Sequence, residues 1–144
     1  METERRIYSF GAHKVWLEPP DAIFMDLNGD VTEANIKDFL VLIEQLGGGV
    51  GPVILIQDLT KVGTFTSGAR KAITDDPRAV QIRSVVCVGA SFQMRVIMTM
   101  IEKTGKLLNR KLTATRFASD EADGRRVLAL ERARLAKQKT ASGA

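Results

Sequence analysis

The sequence predicts an α/β domain in which about four helices pack against one mixed β-sheet. Two continuous apolar runs of strand length, Val53 to Ile56 and Ile82 to Val88, suit strands covered on both faces. Apolar residues at three- and four-residue spacing follow or separate these runs and indicate amphipathic helices. Turn-forming residues punctuate the boundaries, and strands alternating with helices define a layered α/β architecture. A chain of 144 residues is the size of one domain, able to bury roughly 70% of its unfolded surface.

The first segment, Ile7 to Phe10 and Val15 to Glu18, has short apolar patches around Gly11 and reads as an edge hairpin anchored by Trp16 and Leu17. Pro19 and Pro20 cannot donate backbone hydrogen bonds and stop that strand. Ala22 to Leu27 reads as the next strand, with Asn28-Gly29-Asp30 as its turn. Thr32 is a suitable N-cap for a helix carrying Ile36, Phe39, Leu40, Ile43 and Leu46, which Gly47-Gly48-Gly49 ends. The central strand Val53 to Ile56 leads through Asp58 into a hydroxyl-rich segment expected as a loop. A short helix with Ala69, Ala72 and Ile73 on one face follows it. Ile82 to Val88 is the second buried strand. It precedes a helix from about Ser91 to Leu108, a strand from Thr113 to Phe117, and a Ser119-capped helix with Asp120 and Glu121 in its first turn. The expected domain spans residues 1–136, and residues 137–144 read as a disordered tail.

Several function classes are excluded or weakened by composition. No apolar run reaches the ~18 residues of a membrane span, and residues 1–6 carry mixed charges, which points to a soluble cytoplasmic protein. The one cysteine, Cys87, sits inside an apolar run and is expected as a buried structural thiol. The one histidine, His13, lies between Ala12 and Lys14 and is expected in a solvated turn, leaving no proton-transfer group with an evident partner. No metal site is expected, because zinc centres require several His or Cys ligands. Gly47 to Pro52 follows a helix and precedes a strand, the reverse of a phosphate-binding loop. Asp26, Asp30 and Asp58 lie near strand ends, where turn and capping roles explain them more simply than a paired-carboxylate or magnesium site. Residues 1–102 hold 10 Lys/Arg against 13 Asp/Glu, and residues 103–144 hold 11 against 4. The resulting basic C-terminal third ranks nucleic acid or an anionic surface as a distant third class of partner.

The most specific signal is Asp58-Leu59-Thr60-Lys61-Val62-Gly63-Thr64-Phe65-Thr66-Ser67-Gly68-Ala69-Arg70. A hydroxyl at a helix start can cap the helix or accept a phosphate held by free backbone N–H groups. Asp58 to Val62 and Thr66 to Gly68 resemble the segment Asp-Leu-Ser-x-Val…Ser-Ser-Gly of STAS (anti-anti-sigma factor-like) domains. Gly29-Asp30-Val31-Thr32 and the order of strands and helices over residues 15–136 agree with that resemblance. Two departures stand out: the segment is one residue shorter, and Phe65 occupies the position of the aspartate before the phosphorylated serine.

The resemblance implies a non-enzymatic regulatory domain, without a cofactor, that binds a protein partner through Thr60 to Gly68. Asp58, Thr60, Thr66, Ser67 and Gly68 form the interaction or phosphoacceptor set, with Thr66 matching the acceptor position. A similarity to divergent STAS/Sec14-like proteins implies the alternative, a carrier or sensor of a small apolar ligand. Phe65, Phe92, Met94, Met98 and Ile101 are the candidate ligand or dimer face. Independently, the Ser91 to Leu108 helix has apolar residues around most of its circumference, which predicts a contact on its second side. A homodimer is the simplest such contact.

Overall fold

The computed structural model describes residues 6–47, 53–78, 82–107 and 114–142. Its elements run β1 (Ile7–Phe10), β2 (His13–Glu18), β3 (Ala22–Val31), α1 (Glu33–Gly47), β4 (Val53–Phe65), α2 (Ser67–Asp75), β5 (Ile82–Val88), α3 (Phe92–Leu107), β6 (Ala114–Ala118) and α4 (Glu121–Ser142). This order matches the sequence reading. Gly48 to Pro52, Leu108 and Thr113 lie outside the described residues. The last helix continues through Lys137, from which composition suggests disorder.

The six strands form one sheet in the order β1-β2-β3-β4-β5-β6. The first three are antiparallel neighbours, and β3 to β6 run parallel. Parallel neighbours need crossover connections, and α1, α2 and α3 supply them. Sequential strand order with crossovers of one hand places all three helices on the same face.

Alternation along the strands divides the core into two layers. Ile23, Met25, Leu27, Val53, Leu55, Leu59 and Cys87 face the three crossover helices, which contribute Ile36, Phe39, Leu40, Ile43, Ala69, Ala72, Met94 and Met98. Ala22, Phe24, Ile54, Ile56, Val86 and Val88 face the opposite way and are covered by Val127 and Leu128 of α4. Each fully buried Ile, Leu or Phe contributes about 1.5–3 kcal/mol to the assembly of these layers. A register shift in β5 sets Val53 opposite Ile82 but Ile54 opposite Ser84. The extra residue, Arg83, turns the Ser84 side chain toward α4.

Helix starts are capped as the sequence implies, with one displacement. Thr32 Oγ1 accepts from the Asn35 N–H at 3.2 Å, while Asn35 Oδ1 accepts from the Thr32 N–H at 3.0 Å. Ser91 Oγ accepts from the Met94 N–H in α3. For α4 the cap is Asp120 rather than Ser119: Asp120 Oδ1 accepts from the Asp123 N–H at 2.8 Å. The Asp123 carboxylate reaches back to the Ser119 N–H at 3.0 Å. A carboxylate is the stronger acceptor, and here it also carries the charge that suits a helix N-terminus.

Candidate functional site

The carboxyl ends of β3 to β6 and the starts of all four helices gather at one end of the molecule, because each parallel strand leads directly into a helix. Two expectations about this end are corrected. Asn28-Gly29-Asp30 is not a turn, and Thr60 to Phe65 is not a loop. Both segments continue their strands, pairing Asn28 with Lys61, Gly29 with Val62 and Val31 with Phe65 across two register shifts. Past Asp26 and Asp58 no strand among the described residues flanks this parallel ribbon, since β2 and β5 pair only as far as those residues. Local composition read as a loop because the ribbon is polar and exposed on much of its surface; pairing with a distant segment makes it a strand.

The ribbon is fastened by side chains. Asp30 Oδ1 accepts from the Thr64 N–H at 3.0 Å, and Asp58 Oδ1 accepts from the Thr60 N–H at 2.9 Å. His13 is fully buried, correcting its expected place in a solvated turn. Its Nδ1 accepts from the Asn28 N–H at 2.9 Å, which leaves Nε2 as the protonated nitrogen. Nε2 then donates to the Asp30 carbonyl at 3.1 Å and to Asn35 Oδ1 at 3.3 Å. The imidazole therefore joins the hairpin, the ribbon and the start of α1.

The chain leaves β4 at Thr66, whose N–H donates to the Val31 carbonyl at 3.0 Å. Thr66 Oγ1 accepts from the Ala69 N–H at 3.1 Å and caps α2. Its hydroxyl is thus part of the fold. Ser67 begins the helix and is exposed, so of the two adjacent hydroxyls it is the accessible one. At Gly68 the start of α2 approaches α1 closely: an added Cβ would lie 3.1 Å from Glu33 Cβ. Arg70, three residues after Ser67, has a buried Nε without a hydrogen-bond partner among the described residues. Arg70 closes the segment that the sequence singles out but carries no site role there, although its spacing from Thr66 and Ser67 on a helix was the available signal.

Thr60 is exposed and borders Gly89, which has a φ of 68°. A Cβ there would come within 2.5 Å of Thr60 Oγ1, so glycine is required both by backbone angle and by space. This approach connects the ribbon to the start of α3 and brings Thr60 toward the end that carries Phe92.

The residues expected as an apolar ligand or dimer face are not brought together on one surface. Phe65, Met94 and Met98 are buried members of the core, and Ile101 packs partly against it. Phe92 is exposed. Asp26 and Asp58 are cross-strand neighbours, with Lys14 paired beside Asp26, whereas Asp30 is engaged with Thr64. Among the described residues no group of three His, Cys, Asp or Glu side chains is placed to hold a metal ion. Cys87 is buried, and burial pushes its thiol up to about 12 although Gln57 donates to its sulfur. No helix among the described residues is long and apolar enough to cross a membrane.

Comparison with known proteins places this geometry in a known fold. No family model matches the sequence, and no curated protein matches it. The anti-sigma factor antagonist SpoIIAA, solved in its unphosphorylated form, is similar in structure with a TM-score of 0.54 and 14% identity, covering 85% of this chain and 98% of that one. An uncharacterized protein of the DUF3478 family from Shewanella loihica, described as having a SpoIIAA-like fold, matches with a TM-score of 0.49 and 15% identity. That alignment covers 86% of this chain and 94% of the other. The chain thus has the single-domain, mixed-sheet α/β fold of SpoIIAA, the STAS-like fold.

Proposed function

We propose that this chain is a non-enzymatic regulatory domain that binds a protein partner at the end of the sheet carrying Thr60, Ser67 and Gly68, with phosphorylation of Ser67 controlling the contact. The fold similarity to an anti-sigma factor antagonist supports a regulatory role. The observation that carries the reading is the placement of Ser67: an exposed hydroxyl at the first position of α2, beside a neighbour whose hydroxyl is already committed to capping. Thr66 matches the acceptor position of the STAS segment, but its phosphorylation would remove that cap. Phosphorylation of Ser67 leaves it intact.

A phosphate on Ser67 would add nearly two negative charges at a helix start, where the dipole and free N–H groups favour anions. Arg70 lies one turn along the same helix and supplies a positive charge near it. Glu33, beside Gly68, would repel the new charge. The two effects oppose each other across the α1–α2 junction, which makes that junction the element a phosphate would rearrange.

The test is phosphopeptide mapping of protein isolated from its source cells, together with quantitative co-purification using wild type, Ser67→Ala and Ser67→Asp. The expected result is one phosphate at Ser67, absent from Ser67→Ala, and a stoichiometric protein partner lost with Ser67→Asp. An unmodified segment, with the same co-purifying proteins for all three forms, would refute the proposal.

A further inference from the structure

Helix α3 divides its apolar residues between two sides. Met94 and Met98 are buried in the core, and Ile97 and Ile101 pack against it. Phe92, Val96 and Met100 recur every four residues on the opposite side and are 81%, 44% and 52% exposed. Large apolar side chains in a continuous outward row mark a contact surface rather than the scattered exposure normal to proteins.

The exposed charges bordering the row are of one sign. Arg95 and Lys103 are exposed on the outward arc, and neither has a carboxylate partner among the described residues. The Arg95 guanidinium lies 5.1 Å from the centre of the Phe117 ring, which steadies it beside the row. Glu102, the sole acidic residue of α3, is half-buried on the flank. We infer that the Phe92-Val96-Met100 row is the docking face for one amphipathic helix of a protein partner, with acidic residues flanking that helix's apolar stripe.

Two other occupants fit less well. Antiparallel pairing of α3 with its counterpart in a second copy, Val96 against Val96, brings Arg95 toward Arg95 with no outward carboxylate between them. A flat anionic lipid surface would also meet α1, which shares this face of the sheet and exposes Glu33, Asp38 and Glu44. A single helix touches α3 alone and meets its positive border with complementary charge. The inference rests on the reading of this chain as a protein-binding domain but not on phosphorylation of Ser67.

The test is fluorescence anisotropy with a synthetic helical peptide bearing one leucine stripe and glutamate flanks, against a twin with lysine flanks. The full-length protein should bind the glutamate peptide on the order of tenfold more tightly than the twin. Phe92→Ser and Met100→Ser should weaken that binding while far-UV circular dichroism and the melting temperature stay unchanged, since both side chains are exposed. The double variant Arg95→Glu/Lys103→Glu should reverse the peptide preference. Equal binding of the two peptides, or variants indistinguishable from wild type, would overturn the inference. So would a dimer in sedimentation, or binding to phosphatidylserine vesicles, that Phe92→Ser abolishes without any peptide preference. Ser67→Asp separates the two proposals: peptide binding that survives it, with the cellular partner lost, upholds both, whereas loss of peptide selectivity with a Ser67-dependent partner retained defeats only this one.

Discussion

His13 shows how a residue with an obvious chemical reputation is used structurally. Buried to 1% exposure, it is bonded at both ring nitrogens, to Asn28 and Asp30 of β3 and to Asn35 of α1. Removing the ring takes the partner from the Asn28 N–H and the Asp30 carbonyl at a part-buried site and leaves a cavity. The His13→Ala variant should therefore lose about 2–4 kcal/mol of stability, read from the urea midpoint and slope of unfolding. A loss under about 0.5 kcal/mol would mean that water replaces the ring without cost. Cys87 makes the complementary point: its thiol is held protonated by burial, so it packs as a small apolar side chain.

Among the elements, α4 is the least obvious from its own sequence. Among the described residues only Val127, Leu128 and, partly, Leu135 give it apolar contact with the back of the sheet, and Gly124 lets it approach Val88. Much of its placement is polar. Arg125 forks onto Glu18 at 3.0 and 3.1 Å, and Arg132 meets Asp21 at 2.8 Å. Glu131 is buried and accepts from Ser84 and Arg134. Burial pushes the Glu131 carboxyl up, but the hydrogen bonds from Arg134 and Ser84 and the charges of Arg134 and Arg116 outweigh it, leaving it below its ordinary 4.5. A carboxyl depressed in the folded state contributes stability above its unfolded value and loses it as pH falls through the folded value. The urea midpoint of wild type should accordingly drop below pH 4.5, and Glu131→Gln should show a shallower drop over the same range. Parallel curves for the two proteins would show that Glu131 does not couple α4 to pH.

At the scale of the molecule, one sheet is shared by two hydrophobic layers, so neither layer can persist without the strands that the other also covers. Trp16 packs against the α4 layer with its ring 5.8 Å from Phe24, and so reports on that side alone. Far-UV circular dichroism reports on all helices, most of which lie on the other side. Because the strands are common property, Trp16 fluorescence and circular dichroism should give coincident urea transitions. An earlier Trp16 transition would reveal α4 and its layer separating from a sheet still held by α1, α2 and α3.

The sequence alone determined the order of all ten elements, the single mixed sheet and the positions of the buried strands. These are local properties: apolar periodicity identifies Ile36, Phe39, Leu40 and Ile43 as one helix face, and continuous burial identifies Val53 to Ile56 as a central strand. It also marked Thr66 to Gly68 as the segment to examine. What only the tertiary structure decided are the relations between distant residues. Asn28 to Val31 and Lys61 to Phe65 look like loops separately and become strands because each supplies the other's hydrogen bonds. The polar turn histidine becomes a buried clamp because Asn28, Asp30 and Asn35 converge on it. The same applies to the site: the sequence matches Thr66 to the acceptor position with Ser67 next to it, but the direction in which β4 enters α2 commits the Thr66 hydroxyl to the helix cap and leaves that of Ser67 in solvent. Local propensity is written in neighbouring residues, whereas burial and hydrogen-bond partnership depend on which segments meet, and that is settled only when the whole chain packs.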